Sequence, residues 1–257
     1  MKALRIDDIG ASSKLYEIYG KTRLTIKGKK IPIPIPGVIT NFLFLKHFPL
    51  WKGWGPYNEL SSSQWDQIFN FFIKYNIKAS VAITSNWVEA DGSLTPFNKK
   101  FKDQYKSIKE GISANLIEVL SHGLTHCVVG SHLPFKFKSN RQQHREFYDY
   151  LGKDKIYEHA YKSKSQLEDM FGVNVDVLVP PGNVFGKYTI EACQKIGYKA
   201  INCNTQTRFE EDLLIIGNEN VYAIHDRDFI TENDCDQFVQ NFKNSVLISD
   251  IISNYEK

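Results

Sequence analysis

The sequence predicts an α/β fold built on a parallel sheet, and three observations point there. Short apolar runs alternate with amphipathic stretches of helical length, the pattern of successive β/α units. Titratable residues gather where those runs end, as expected when parallel strands bring their carboxyl ends to one mouth. The 257 residues contain no linker-like stretch, so they are expected to form one unit around a single large core.

The elements follow in order. Leu4 and Ile6 open a first strand that ends on Asp7 and Asp8. Trp65, Ile68, Phe69 and Phe72 recur at steps of three and four residues and predict a helix, with Ser63 as its N-cap. Ala79–Ile83 reads as a buried strand, 101–111 as a helix, and Leu116–Leu120 as a strand running into Ser121-His122-Gly123-Leu124-Thr125-His126. Helical segments extend to Phe171, where Gly172 is a stop signal. A strand at Val175–Val179, a turn at Pro180-Pro181-Gly182, a helix at 187–196, strands at 199–203 and 221–224 and a C-terminal helix complete the pattern.

One interval is too long for an ordinary connection: about fifty residues separate the first strand from the first helix. This insertion, 11–61, carries Ile31-Pro32-Ile33-Pro34-Ile35-Pro36, whose alternating prolines suit an extended edge. It also carries Phe42, Phe44, Phe48, Trp51, Trp54 and Tyr57, which either stack on sugar rings or pack the insertion down. In a β/α barrel a long loop after a strand lies on the active-site face, so the insertion is a candidate substrate cap.

Composition is that of an ordinary globular protein: 42% hydrophobic, 24% charged, with a net charge of +3 too small to argue for nucleic acid. No stretch reaches the roughly 18 apolar residues of a membrane span. The N-terminus has no apolar run before its first carboxylates, so neither a signal peptide nor an anchor is expected. Cys127, Cys193, Cys203 and Cys235 lack paired spacing, which suits reduced thiols filling the core of a cytoplasmic protein.

The chemistry concentrates at two strand ends. His122 and His126, with a carboxylate from elsewhere, make a three-ligand site for Zn²⁺ or a similar ion that keeps a position open for water. The helical metalloprotease motif needs a glutamate after its first histidine, where this chain has Gly123, so that chemistry is excluded. Asp7 and Asp8 would repel each other if both were buried and ionised, so a nearby cation or a shared proton is expected. Alternation along a strand lets such neighbours take different jobs.

These residues, and their order, resemble the polysaccharide deacetylase family, the NodB-homology carbohydrate esterases. Arg5-Ile6-Asp7-Asp8 is similar to the family's Thr-Phe-Asp-Asp motif, which implies Asp7 as catalytic base and Asp8 as metal ligand. Ser121–His126 resembles His-(Ser/Thr)-x-x-His, whose histidines complete the site, although Gly123 stands where the hydroxyl residue belongs. Val179-Pro180-Pro181-Gly182 resembles the groove-lining Arg-x-Pro-Tyr/Pro-Gly motif, which makes Pro180, Pro181, Gly182 and the following Asn183 candidate substrate contacts. Ala223-Ile224-His225-Asp226 resembles the motif whose histidine is the general acid; Asp226 and Asp228 beside it either tune that imidazole or, the reading preferred, are solvated loop carboxylates. The other histidines, His47, His132, His144 and His159, match no motif and are not expected to be ligands.

Two departures stand out. The third-motif arginine that orients the base is missing, and no Asp-x-Trp is found near Ile201-Asn202-Cys203-Asn204. Arg5, two residues before Asp7 on the same strand face, is the candidate replacement for that guanidinium. The resemblance implies a distorted (β/α) barrel of about seven parallel strands. It also implies a hydrolase of carbon–nitrogen bonds removing an N-acyl group, acetyl before formyl, with Asp7 activating water at a divalent metal, Zn²⁺ ahead of Co²⁺ or Ni²⁺. Opening of a cyclic amide, or carbohydrate binding with weakened turnover, are the alternatives. An N-acylated sugar, nucleotide sugar or oligosaccharide is the expected partner.

Overall fold

The computed structural model describes residues 2–16, 23–26, 29–32, 59–89, 91–130, 146–231 and 234–255. In chain order the strands are β1 (Ala3–Ile9), β2 (Arg23–Ile26), β3 (Lys29–Pro32), β4 (Ala79–Ile83), β5 (Asn86–Val88), β6 (Leu94–Pro96), β7 (Ile117–Ser121), β8 (Val177–Leu178), β9 (Ala200–Asn202), β10 (Arg208–Glu210), β11 (Leu213–Ile216) and β12 (Val221–His225). The helices are α1 (Ser13–Tyr16), α2 (Ser62–Tyr75), α3 (Phe97–Lys100), α4 (Lys102–Ser113), α5 (Lys153–Phe171), α6 (Lys187–Ile196), α7 (Asp226–Thr231), α8 (Cys235–Gln240) and α9 (Ile248–Tyr255).

Eight strands form one sheet in the order β10-β11-β9-β8-β7-β4-β1-β12. All pairings are parallel except that of the edge strand β10 with β11. Among the described residues seven parallel strands thus run almost consecutively, with the last returning beside the first, and the sheet's two edges are β12 and the antiparallel β10.

Alternation explains how the sheet is clothed. One face carries Leu4, Ile6, Val81, Ile83, Val119, Ile201 and Ile215 and packs on helices through Trp65, Ile68, Phe72, Ile108, Ile156 and Leu167. The other face carries Ala3, Ala82, Leu120, Val177, Ala200, Leu214 and Val221. Those residues come from seven strands yet form one cluster, so this face curls inward. Ile248, Ile251 and Ile252 of α9 close its lower end. Glu118 fixes that plug by accepting hydrogen bonds from the amides of Ile248 (2.7 Å) and Ser249 (3.2 Å), a carboxylate at a helix N-terminus.

Some expectations shift. Helix α2 is capped by Ser61 rather than Ser63: Ser61 Oγ accepts from the Gln64 amide while Gln64 reaches back to the Ser61 amide, a complete capping box. The strand expected at Val175–Val179 is two residues long. The β5–β6 and β10–β11 pairings were not foreseen, and β11 is the seventh parallel strand. Of the proline run, Ile31 and Pro32 lie in a two-stranded sheet, pairing with Leu24 and Arg23. The aromatics of the insertion, and His47, His132 and His144, fall outside the described residues. All four cysteines are free thiols, three of them buried. Among the described residues no helix is long and apolar enough to cross a membrane.

Candidate active site

The site is made at the carboxyl ends of the strands. On one side β1 keeps register with β12, placing Asp7 opposite His225. On the other, its pairing with β4 shifts register between Ile6 and Ile9, and Asp8 adopts φ 70°. A left-handed conformation costs a non-glycine residue roughly 1–2 kcal/mol. This irregularity breaks the alternation that would send two neighbouring carboxylates to opposite faces, and both reach the mouth.

Asp8, His122 and His126 are buried and converge. Asp8 Oδ1 lies 3.3 Å from His122 Nε2 and 3.1 Å from His126 Nε2, and the two Nε2 atoms are 3.1 Å apart. Their opposite ring nitrogens are engaged: His122 Nδ1 donates to the Val179 carbonyl at 2.7 Å, and His126 Nδ1 meets Ser13 Oγ at 2.6 Å. The carbonyl, an acceptor only, puts the His122 proton on Nδ1 and turns its Nε2 lone pair inward, while the Ser13 hydroxyl orients the His126 ring. Three ligands about 2.0–2.1 Å from a tetrahedral ion stand about 3.3 Å from one another, so the donor set fits a divalent metal in both chemistry and spacing. Burial opposes ionisation of Asp8, yet the Arg227 guanidinium beside it holds its carboxyl well below the usual range.

Asp7 is held differently. Arg5 Nε donates to Asp7 Oδ1 and Nη2 to Oδ2, both at 2.7 Å, a bidentate fork. Arg5 also donates through Nη1 to Asn202 Oδ1, and Asn202 Nδ2 is anchored on the Ile216 carbonyl at 2.8 Å. Arg5 and Asn202 sit on non-adjacent strands with side chains 1% and 0% exposed, so the contact crosses the barrel interior. The expected replacement for the missing third-motif arginine is therefore in contact with the base candidate. Asn202, in the stretch where no Asp-x-Trp was found, is its support, a role the sequence did not reveal.

His225 caps α7. Asp228 Oδ2 accepts the His225 amide at 2.8 Å and lies 3.6 Å from its Nδ1. Burial works against a charged imidazole here, but the Asp228 carboxylate and the charges of Asp8 and Asp7 outweigh it and raise the His225 pKa to about 9. The preferred reading of Asp226 and Asp228 as solvated carboxylates is overturned, and for Asp228 the alternative, tuning of the imidazole, agrees with the contact. Asp226 is fully buried against Lys14 Nζ at 2.5 Å, and the same Nζ lies 2.7 Å from Glu59. Asp228 serves His225. A carboxylate three residues after an N-cap is half of a capping box, the one signal that could have exposed it. Arg227, also unforeseen, places Nη1 3.0 Å from Asp8 Oδ2.

The departure at Gly123 has a steric cause. Gly123 has φ 86°, and a Cβ there would stand 2.2 Å from Glu146 Oε2 and 3.1 Å from Phe147 Cε2. Glu146, wholly buried, accepts from the Leu124 amide (2.8 Å), the Thr125 amide (3.1 Å) and His159 Nδ1 (2.7 Å). A carboxylate thus supports the ligand loop where the family motif has a hydroxyl. His159 is paired with it and stands apart from the ligand group. The Pro180-Pro181-Gly182 turn touches the site through the Val179 carbonyl; Asn183 is exposed and accepts the Asn204 amide at 3.1 Å.

The chain matches the family model described as polysaccharide deacetylase over residues 54–201, more than half its length. Asp7 and Asp8 precede that span and His225 follows it. Among curated proteins none matches in sequence. Similar solved structures include a de-N-acetylase from Aggregatibacter actinomycetemcomitans, 14% identical, with 93% of this chain and 98% of that one covered and a TM-score of 0.43. A putative polysaccharide deacetylase from Mycobacterium smegmatis is 10% identical over 74% and 76% of the two chains, with a TM-score of 0.47. A CE4-family pseudoenzyme from Bacillus anthracis is 13% identical over 75% and 62%, with a TM-score of 0.45. The motifs read from the sequence, the seven-stranded parallel architecture and the family match agree: the chain belongs to the polysaccharide deacetylase family, a family of carbon–nitrogen hydrolases.

Proposed function

We propose that the protein removes the acetyl group from an N-acetylated amino sugar, in an oligosaccharide or a nucleotide-linked precursor, with a divalent metal held by Asp8, His122 and His126. Zn²⁺ is the first choice by ligand type, with Co²⁺ and Ni²⁺ as alternatives. The observation that carries this reading is the sorting of two adjacent aspartates: Asp8 turns one oxygen to two imidazole nitrogens, and Asp7 beside it is locked by Arg5.

When bound, such an ion lowers the pKa of water toward ~7 and polarises the acyl carbonyl. Asp7 accepts the proton of the attacking water; its oxygens keep acceptor capacity beyond the Arg5 fork. His225, protonated at neutral pH with a pKa of about 9, donates to the leaving nitrogen as the carbon–nitrogen bond breaks. The products are acetate and a free amine. Arg5 is the positioning group for Asp7. Pro180, Pro181, Gly182 and Asn183 line the substrate side. Ser13 and Glu59, near the two ends of the 11–61 insertion, touch His126 and Lys14, which supports a cap role for that insertion. The four free thiols suit a reducing compartment, and we assign the reaction to the cytoplasm on that ground.

The test is acetate and formate release by metal-loaded protein from N-acetyl and N-formyl sugars, their nucleotide-linked forms and oligosaccharides. Acetate with an equal amount of free amine is the expected result. Formate alone would make the protein a deformylase, and no release across the panel would refute the reading.

A further inference from the structure

We propose that Arg227 is a positioning residue that keeps Asp8 a one-oxygen ligand. This inference rests on the metal reading above and goes beyond it. The two adjacent aspartates have one arginine each, and the arginines hold them in opposite ways. Arg5 engages both oxygens of Asp7. Arg227 places Nη1 3.0 Å from Oδ2 of Asp8, while Oδ1 faces His122 and His126. Carboxylates bind cations through one or two oxygens according to what else occupies them. A cation on Oδ2 removes the second oxygen from an ion's reach and keeps a position open for water and substrate.

The placement of Arg227 supports a role specific to the site. Its side chain is 12% exposed, so its charge is little screened by solvent. It stands in the first turn of α7 between Asp226, bound to Lys14, and Asp228, bound to His225. One helical turn therefore carries partners for both the acid candidate and the ligand carboxylate.

The experiment uses Co²⁺ as both metal and probe, comparing wild type with Arg227→Met and Arg227→Lys. Arg227→Met frees Oδ2, so its cobalt complex is expected to show weaker visible absorption, the sign of a higher coordination number. Its Co²⁺ affinity should rise, about tenfold, because a cation beside the site is removed and a second oxygen is freed to bind. Arg227→Lys, which keeps a cation near Oδ2, should restore the wild-type spectrum. A wild-type spectrum and affinity in Arg227→Met would overturn the inference, as would loss of Co²⁺ binding in both variants, which would mark a merely structural role. If Co²⁺ binds wild type and Asp8→Asn alike, the metal reading itself fails. If the spectra behave as expected while no acyl sugar is hydrolysed, the inference stands and the substrate reading falls.

Discussion

Restoring the family's hydroxyl residue by Gly123→Ser should damage this protein, because the ligand loop is built around Glu146. The new Cβ would sit 2.2 Å from Glu146 Oε2, 2.9 Å from its Cδ and 3.1 Å from Phe147 Cε2. Glu146 cannot swing aside cheaply, since two backbone amides and His159 hold its other oxygen. A side chain at φ 86° costs roughly 1–2 kcal/mol and forced overpacking about 1–3 kcal/mol more. The sum, about 2–5 kcal/mol, is a large share of the ~5–15 kcal/mol that stabilises a folded chain. At about 2–4 °C per kcal/mol the Tm should fall by about 4–20 °C. Thermal melting followed by circular dichroism reads this, with Gly123→Ala expected to behave alike. Adding Glu146→Ala to Gly123→Ser should recover the steric part but not the backbone strain, a coupling of roughly 0.5–3 kcal/mol. A Gly123→Ser protein that melts within a degree of wild type and binds metal equally would refute the reasoning.

Arg5→Lys keeps the charge but loses the fork, so acetate release should drop about 10- to 100-fold with metal content unchanged, measured by kinetics and metal analysis; equal activity would deny Arg5 its positioning role. His225 has a folded pKa of about 9, above its ordinary 6.5, so activity that needs the protonated imidazole should be present at neutral pH and decline as pH rises through about 9. Asp228→Asn should move that alkaline limb down by about one unit in a pH–rate profile. The same sign governs stability: the His225–Asp228 contribution is full below pH 6.5 and lost as pH climbs through 9, which pH-dependent melting of wild type against Asp228→Asn would detect.

Which parts were readable from sequence follows from range. The 3.6-residue spacing of Trp65, Ile68, Phe69 and Phe72 is local, and all four are buried in α2. Asp7, Asp8, His122 and His126 were legible by motif order, and Arg5 by strand parity, since residues two apart share a face. Asp226 was misread because its partner, Lys14, lies 212 positions earlier inside the insertion. Ser13 and Glu59 were hidden for the same reason. Leu213–Ile216 is a four-residue apolar run, which periodicity cannot separate from a piece of helix. Arg227 became visible only once α7 was seen to start at Asp226, which fixes where its side chain can reach.

The central claim is that Asp7 is the base at a metal site formed by its neighbour. Acetate release and metal content measured together on wild type and Asp7→Asn test it most directly. The account predicts a loss of about 10²–10⁴-fold in turnover with metal retained. Undiminished turnover in Asp7→Asn would contradict it.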